Sequence, residues 1–260
     1  MQKRFIQNRR GRRIAVLWEQ ATLQKGLAFV MHGLSGSKEQ DHIQTIAEAF
    51  REQGFTVVRF DTTNTFGESD GAYEEATVTN YYEDLEDVIR WAASQSWYQE
   101  PFVLSGHSLG AMCSTLFAER YPEKILALAP VSLPVSGQKT LEAMERYASD
   151  DLVAWRQTGW QEVPSVDRPG IIKRLPWSHM EDRLRYDLIP DCSKLTMPIL
   201  FIVGEQDRVT TPEDIRQFFN LLSDRAVFRI IERAPHTFRA PEHVKQLKDF
   251  LTDWIRSFSR

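Results

Sequence analysis

Apolar residues recur along this chain in two rhythms that alternate. Six short runs are apolar almost throughout: Leu27-Ala28-Phe29-Val30-Met31, Thr56-Val57-Val58-Arg59-Phe60, Phe102-Val103-Leu104, Ile125-Leu126-Ala127-Leu128-Ala129, Ile199-Leu200-Phe201-Ile202-Val203 and Val227-Phe228-Arg229-Ile230-Ile231. Such runs predict strands buried on both faces, as in a parallel sheet. Between them lie stripes spaced three and four apart. Ile43, Ile46, Ala47 and Phe50 share a helical face that stops at Gly54, and Val78, Tyr82, Leu85, Ile89 and Ala92 make a second. Ile215, Phe218, Phe219 and Leu222 make a third, and Val244, Leu247, Leu251, Trp254 and Phe258 a fourth that closes the chain. This alternation predicts an α/β fold with a mostly parallel central sheet, helices on both faces and right-handed crossovers. The stretch from Arg4 to Trp18, interrupted at Asn8-Arg9-Arg10-Gly11, predicts an antiparallel hairpin at one sheet edge.

Residues 134–190 break the rhythm. They are expected to form an insertion, a small cap or lid, on a core made of residues 1–133 and 191–260. Leu141, Met144, Ala148, Leu152 and Trp155 lie at helical spacing, Arg168-Pro169-Gly170 predicts a turn before the short apolar Ile171-Ile172, and Ser178 with Glu181 fits a capping box. The insertion also concentrates tryptophan. Trp155, Trp160 and Trp177 either pack cap against core or line an apolar substrate pocket.

Composition narrows the function classes. A chain of 260 residues that is 42% hydrophobic can bury one large core. A net charge of −4 leaves no basic surface to neutralise phosphates, so no nucleic-acid partner is expected. No apolar run approaches ~18 residues and the N-terminus lacks a leader-like apolar stretch, so neither membrane insertion nor secretion is expected. Cys113 and Cys192 read as free thiols of a reducing, cytoplasmic setting.

The chemistry is concentrated at Gly106-His107-Ser108-Leu109-Gly110, between the strand Phe102-Val103-Leu104 and the small-residue helical stretch that starts at Ala111. A pentapeptide G-x-S-x-G arises by chance about once in ten chains of this length, so context must carry the reading. A serine at a sharp strand-to-helix turn needs small neighbours, and its hydroxyl projects into a cleft above unpaired helix N–H groups. In an open α/β sheet its partners must come from the other loops beyond the strands' carboxyl ends. His32-Gly33-Leu34-Ser35-Gly36 lets a backbone amide approach the cleft, so the amides of Leu34 and Leu109 are the expected oxyanion hole. Gly204-Glu205-Gln206-Asp207 supplies a carboxylate and Ala234-Pro235-His236 an imidazole.

Serine, histidine and aspartate suit one another. A serine hydroxyl is a nucleophile only when a base takes its proton as it attacks, and histidine can accept that proton and return it to a leaving group. A carboxylate on the second ring nitrogen fixes the tautomer. Among rivals, Asp214 fits better as helix furniture, three residues after the expected N-cap Thr211 and following Pro212. His32 and His107 read as structural hydrogen-bonding groups, His243 falls inside the last helix and His179 inside the insertion. Ser108, Asp207 and His236 are therefore the expected catalytic residues.

These segments together resemble the α/β-hydrolase superfamily over nearly the whole chain. Besides the elbow, the Leu34 loop, the aspartate loop and the late histidine, Arg120-Tyr121-Pro122-Glu123-Lys124 looks like the family's exit from the nucleophile helix. The segment from Asp61 to Gly71 is similar to the family loop D-x-x-G-x-G-x-S-x-G, with Thr65-Phe66 in place of small residues. The resemblance extends to small cytoplasmic carboxylesterases of the cinnamoyl or feruloyl esterase type, which carry a modest insertion after the sixth strand. It implies a serine carboxylesterase working through an acyl-enzyme on Ser108, with no metal or organic cofactor. Its expected partner is a small-molecule ester substrate of small to medium, or aromatic, acyl group, with a homodimer as an open option. Amidase, peptidase or thioesterase chemistry on the same triad is the alternative, and a ligand-binding protein on a hydrolase scaffold is a further one.

Overall fold

The computed structural model describes residues 1–166, 168–222 and 225–258. In chain order the elements begin with β1 (Gln2–Gln7), β2 (Arg13–Glu19), β3 (Gly26–Met31), α1 (Asp41–Glu52), β4 (Phe55–Phe60), α2 (Val78–Ala92), β5 (Phe102–His107), α3 (Leu109–Arg120) and β6 (Ile125–Val131). Then follow α4 (Gly137–Tyr147), α5 (Ser149–Thr158), β7 (Trp160–Pro164), β8 (Ile172–Pro176) and α6 (Trp177–Arg183). The chain closes with β9 (Ile199–Gly204), α7 (Pro212–Phe219), β10 (Ala226–Ile231) and α8 (Pro241–Phe258).

Eight strands form one sheet in the order β1-β2-β4-β3-β5-β6-β9-β10, parallel from β4 to β10, with the β1–β2 hairpin paired antiparallel at one edge. This is an α/β-hydrolase fold. Alternation along each strand sends side chains to opposite faces. Leu27, Phe29 and Met31 of β3 join Phe102 and Leu104 of β5 and Phe201 of β9 in a core shared with α2, α3 and α7. Ala28, Val30, Val103, Leu200 and Ile202 face the other way, onto α1 and α8. Two-sided burial explains why the central strands are apolar without interruption. The edge strand β10 is only partly buried, and its Arg229 is exposed on the same account.

Side-chain N-caps are formed by Thr77, Ser136 and Thr211, which accept from the backbone N–H of Asn80, Lys139 and Asp214. Thr211, Pro212 and Asp214 thus stand as their spacing predicts. The expected capping box of Ser178 and Glu181 does not form. The helix starts at Trp177 with Pro176 at its N-cap, so Ser178 already lies inside the first turn. Residues 134–190 contain α4, α5, α6 and an antiparallel hairpin of β7 and β8 that the periodicity did not anticipate. Its turn does lie at the expected place, where the Ile171 N–H donates to the Arg168 carbonyl at 3.1 Å and Gly170 takes a φ of 87°.

A buried ion pair anchors the loop after β4. Lys38 and Asp61 are almost without exposure, their Nζ and Oδ2 lie 2.8 Å apart, and Asp61 also accepts from the N–H groups of Lys38 and Glu68. Gly67 is required there, because a Cβ would sit 2.2 Å from the Asp61 carboxyl carbon. Removing one partner of such a pair leaves an uncompensated buried charge. Lys38→Met is expected to lower the unfolding free energy by about 3–5 kcal/mol, read by urea denaturation. A loss below about 1 kcal/mol, the ordinary worth of an exposed pair, would contradict the assignment.

Candidate active site

Four loops converge beyond the carboxyl ends of β3, β5, β9 and β10. The turn after β5 is tight: Ser108 has φ 53° and ψ −120°, a strained combination for a residue with a side chain. Its flanking glycines are needed for contact. A Cβ on Gly106 would lie 2.5 Å from the Gly110 carbonyl carbon, and one on Gly110 would lie 2.5 Å from the His32 carbonyl oxygen. The Ser108 N–H donates to the Val131 carbonyl at 2.9 Å, tying the turn to the end of β6.

The parallel register of β9 and β10 sets Gly204 beside Ile231, so the two following loops run side by side. The Glu205 and Gln206 amides donate to the carbonyls of Ile231 and Ala234 at 3.0 and 2.9 Å. Gly204 has no room for a side chain, because a Cβ would lie 2.4 Å from the Ala234 carbonyl. This packing brings Asp207 to His236, with Oδ2 and Nδ1 2.8 Å apart. His236 Nε2 lies 3.0 Å from Ser108 Oγ. The three expected residues are thus in one hydrogen-bonded line.

Protonation follows from the partners. A carboxylate can only accept, so Nδ1 carries the hydrogen and Nε2 is left to accept from the Ser108 hydroxyl. Asp207 is fixed by three further donors: the Val209 and Thr210 N–H groups on Oδ1, each at 2.9 Å, and the Thr210 hydroxyl on Oδ2 at 2.8 Å. Burial alone would raise its pKa. The neighbouring His236 and the Thr210 donors outweigh that, and the carboxyl lies below its ordinary range.

The remaining histidines support this line. Burial, together with the neighbouring His42 and His236, drives His107 well below the ordinary imidazole pKa. Neutral His107 donates Nε2–H to the His236 carbonyl at 2.8 Å and so holds the histidine loop against the elbow. His32, also lowered by burial, donates Nδ1–H to the Gly33 carbonyl and accepts the Thr62 N–H at Nε2. His243 is buried in α8, and Asp214 is bonded to its cap Thr211, not to His236.

For the two amides, Leu109 is the first residue of α3, so its N–H has no intrahelical acceptor. The Leu34 loop packs on the elbow, where a Cβ on Gly33 would touch Ser108 Cβ at 3.0 Å. Leu34 and Val209, each next to this site, also line a cavity of about 320 Å³ walled by Ala143, Met144, Trp155 and Met180. Of the three tryptophans, only Trp155 lines it. Trp160 is 37% exposed with Arg174 stacked 4.5 Å over its ring, and Trp177 packs edge-on to Trp155 at 5.4 Å. Those two sit outside the cavity because β7 turns Trp160 outward and α6 begins behind Trp155. Thr210 was missed by sequence reasoning, although an aspartate followed by such residues is the pattern of a side-chain-closed turn. His179 and Arg183, which also line the cavity, gave no signal. Among the described residues no group of three or more His, Cys, Asp or Glu is arranged to hold a metal ion, and no helix is long and apolar enough to cross a membrane.

Comparison with known proteins agrees with the fold. A chain of 98% mutual coverage, Est1E from Butyrivibrio proteoclasticus with ferulic acid bound, superposes with a TM-score of 0.79 at 19% identity. Mouse alpha/beta hydrolase domain-containing protein 10 superposes with a TM-score of 0.80 at 18% identity, covering 99% of both chains. In sequence, an uncharacterized 31.7 kDa protein of Escherichia coli, from the traX-finO intergenic region, is 23% identical over 78% of this chain and 80% of its own. Palmitoyl-protein thioesterase ABHD10, mitochondrial, of Mus musculus is 23% identical over 69% of this chain and 55% of its own length. The sequence profile of the alpha/beta hydrolase fold matches residues 29–167, just over half of the 260. By that match and by the sheet that carries its converging loops, the chain belongs to the α/β-hydrolase fold family.

Proposed function

We propose that the protein is a serine carboxylesterase whose nucleophile is Ser108. The observation that carries this reading is the unbroken line from Asp207 Oδ2 through His236 to Ser108 Oγ, with separations of 2.8 and 3.0 Å. Ser108 Oγ attacks the ester carbonyl carbon as its proton passes to His236 Nε2. The carbonyl oxygen becomes an oxyanion facing the Leu34 and Leu109 amides, each such donor being worth about 3–4 kcal/mol in the transition state. His236 then protonates the departing alcohol, leaving an acyl-enzyme. Water, deprotonated by the same histidine, releases the acid and restores Ser108.

Residues 134–190 act as a cap that builds the acyl pocket, since α4, α5 and α6 supply most of the cavity wall. Cytoplasmic residence belongs to the same proposal and is supported by the unpaired Cys113 and Cys192. The ferulic acid bound to Est1E makes an aryl-propenoyl group a candidate acyl moiety, and the thioesterase named among the relatives favours a second reading, thioester hydrolysis. Turnover of p-nitrophenyl esters, methyl ferulate, an acyl thioester and an aryl amide separates these readings. Esters as the best substrates support the proposal, and thioesters preferred at matched acyl group would replace it by the second.

Acyl selectivity gives a sharper measurement. Each buried methylene contributes about 0.8 kcal/mol, roughly a fourfold preference per carbon until the cavity is full. kcat/KM is expected to climb from acetate to medium chains and then fall. Trp155→Ala should move that maximum to longer chains, while Trp160→Ala leaves it in place. An unmoved maximum in Trp155→Ala would show that this cavity does not receive the acyl group.

A further inference from the structure

The cavity beside the site is lined by two cations, Arg183 and Arg208, and by no carboxylate. Arg208 sits at the rim, its guanidinium 5.8 Å over the Tyr147 ring. Arg183, by contrast, is only 7% exposed. Its Nη1 donates to Thr140 Oγ1 at 3.5 Å and its Nη2 to His179 Nε2 at 3.3 Å, and its Nε has no partner. Neither acceptor carries a charge. His179 donates Nδ1–H to the Ala76 carbonyl at 2.8 Å, and burial pushes its pKa down to about 3, so it is neutral. The adjacent carboxylate, Asp182, is occupied by the Thr79 N–H and hydroxyl, at 3.0 and 2.5 Å, and by Arg185. Among the described residues Arg183 forms no ion pair.

A guanidinium cannot shed its charge as a buried lysine or histidine can, and burying it unpaired is strongly unfavourable. Its position as the last residue of α6 offers partial relief from the carbonyl end of the helix. Thr140 and His179 fix the direction of the fork without neutralising it. Apart from Gln161 and Tyr147 the rest of the wall, with Leu34, Met144, Trp155, Leu175 and Met180, is apolar and suits a carbon chain.

We propose that Arg183 is a specificity residue that receives a carboxylate on the acyl portion of the substrate. The preferred substrates are then half-esters of dicarboxylic acids, whose chain fills the apolar wall and whose free acid pairs with the guanidinium. This rests on the esterase reading above for the position of the ester, and on the cavity alone for the anion.

The test compares p-nitrophenyl half-esters of the six- to eight-carbon dicarboxylic acids with p-nitrophenyl alkanoates of equal length, after subtraction of spontaneous hydrolysis. A charged hydrogen bond in a dry site supports a preference of about 10- to 100-fold in kcat/KM for the acid at one or more lengths. In Arg183→Met that ratio should fall to near one, and in Arg183→Lys to an intermediate value. The melting temperature of Arg183→Met should be equal to or above that of wild type, since an unmatched buried charge is removed; a Thr140–His179 clamp with a purely structural role would make it fall. Neutral esters preferred at every length, or a ratio unchanged in Arg183→Met, overturns the proposal. Calorimetric binding of monomethyl adipate against dimethyl adipate to Ser108→Ala reads the same preference without turnover. Selective binding of the acid by a protein that cleaves no ester would sink the esterase reading and sustain the role of Arg183, whereas ester cleavage with no selectivity for the acid does the reverse.

Discussion

Ser108→Ala is expected to lower kcat on p-nitrophenyl esters by a factor of about 10⁴ to 10⁶ while leaving the fold intact. The substitution removes one oxygen and no packing element. The elbow is held by backbone, through the Ser108 N–H on the Val131 carbonyl and by the close approach of Gly106, Gly110 and His32. On the proposed mechanism, what remains is catalysis by the two amides and by binding, of the kind that leaves serine hydrolases without their triad with rates well above those in water. Covalent labelling supplies the positive counterpart. A fluorophosphonate should modify wild type at Ser108, the serine whose hydroxyl has a histidine nitrogen 3.0 Å away to accept its proton. Label found on another serine, with ester turnover surviving in Ser108→Ala, would place the nucleophile elsewhere.

The candidate site was legible in the sequence wherever its geometry is written in local backbone requirements. Gly106 and Gly110 are forced by steric contact with neighbouring backbone, so the elbow announces itself as a motif. Asp207 follows β9, whose continuous apolarity marks it as central, and His236 follows the edge strand β10, apolar but for Arg229; an open parallel sheet assigns chemistry to the ends of its strands. Residues 134–190 were less legible. Trp160 and Trp155 are alike in sequence and lie five positions apart, yet one stacks under Arg174 at the surface and the other lines the cavity. Trp155 belongs to α5, whereas the facing of Trp160 depends on the β7–β8 hairpin, whose strands of five residues are too short and too polar for a period to emerge. Arg183 lay beyond sequence reasoning for a related reason. An arginine near a helix end reads as a solvated residue, and only the packing of α6 on α2, fastened by Asp182 on Thr79, buries it.

Asp207→Asn should reduce kcat by about 10⁴ with little change in the fold. Oδ1 of Asp207 accepts two backbone N–H groups, so the asparagine carbonyl oxygen must take that position and the amide nitrogen must replace Oδ2. The nitrogen is then a donor facing His236 Nδ1. Two donors cannot share one hydrogen bond, and the imidazole responds by moving its hydrogen to Nε2. Nε2 then faces the Ser108 hydroxyl as a donor, and no base is left to take the serine proton. Thr210 can turn its oxygen toward the new amide, which limits the structural damage to the loop. Asp214→Asn is the matched control, since Asp214 bonds Thr211 and lies outside the line. The ionised state of Asp207 also links the site to stability. Its folded pKa is depressed below the ordinary carboxylate value, despite the opposing pull of burial. Its contribution is therefore fully present above the unfolded carboxyl pKa of ~3.9 and is lost as pH falls through the lower folded value. In Asp207→Asn this acid-side loss disappears, so the stability gap between wild type and variant should narrow below pH ~4 and stay constant above pH ~5. Near-normal turnover in Asp207→Asn, with activity lost instead in Asp214→Asn, would transfer the orienting role to the second carboxylate.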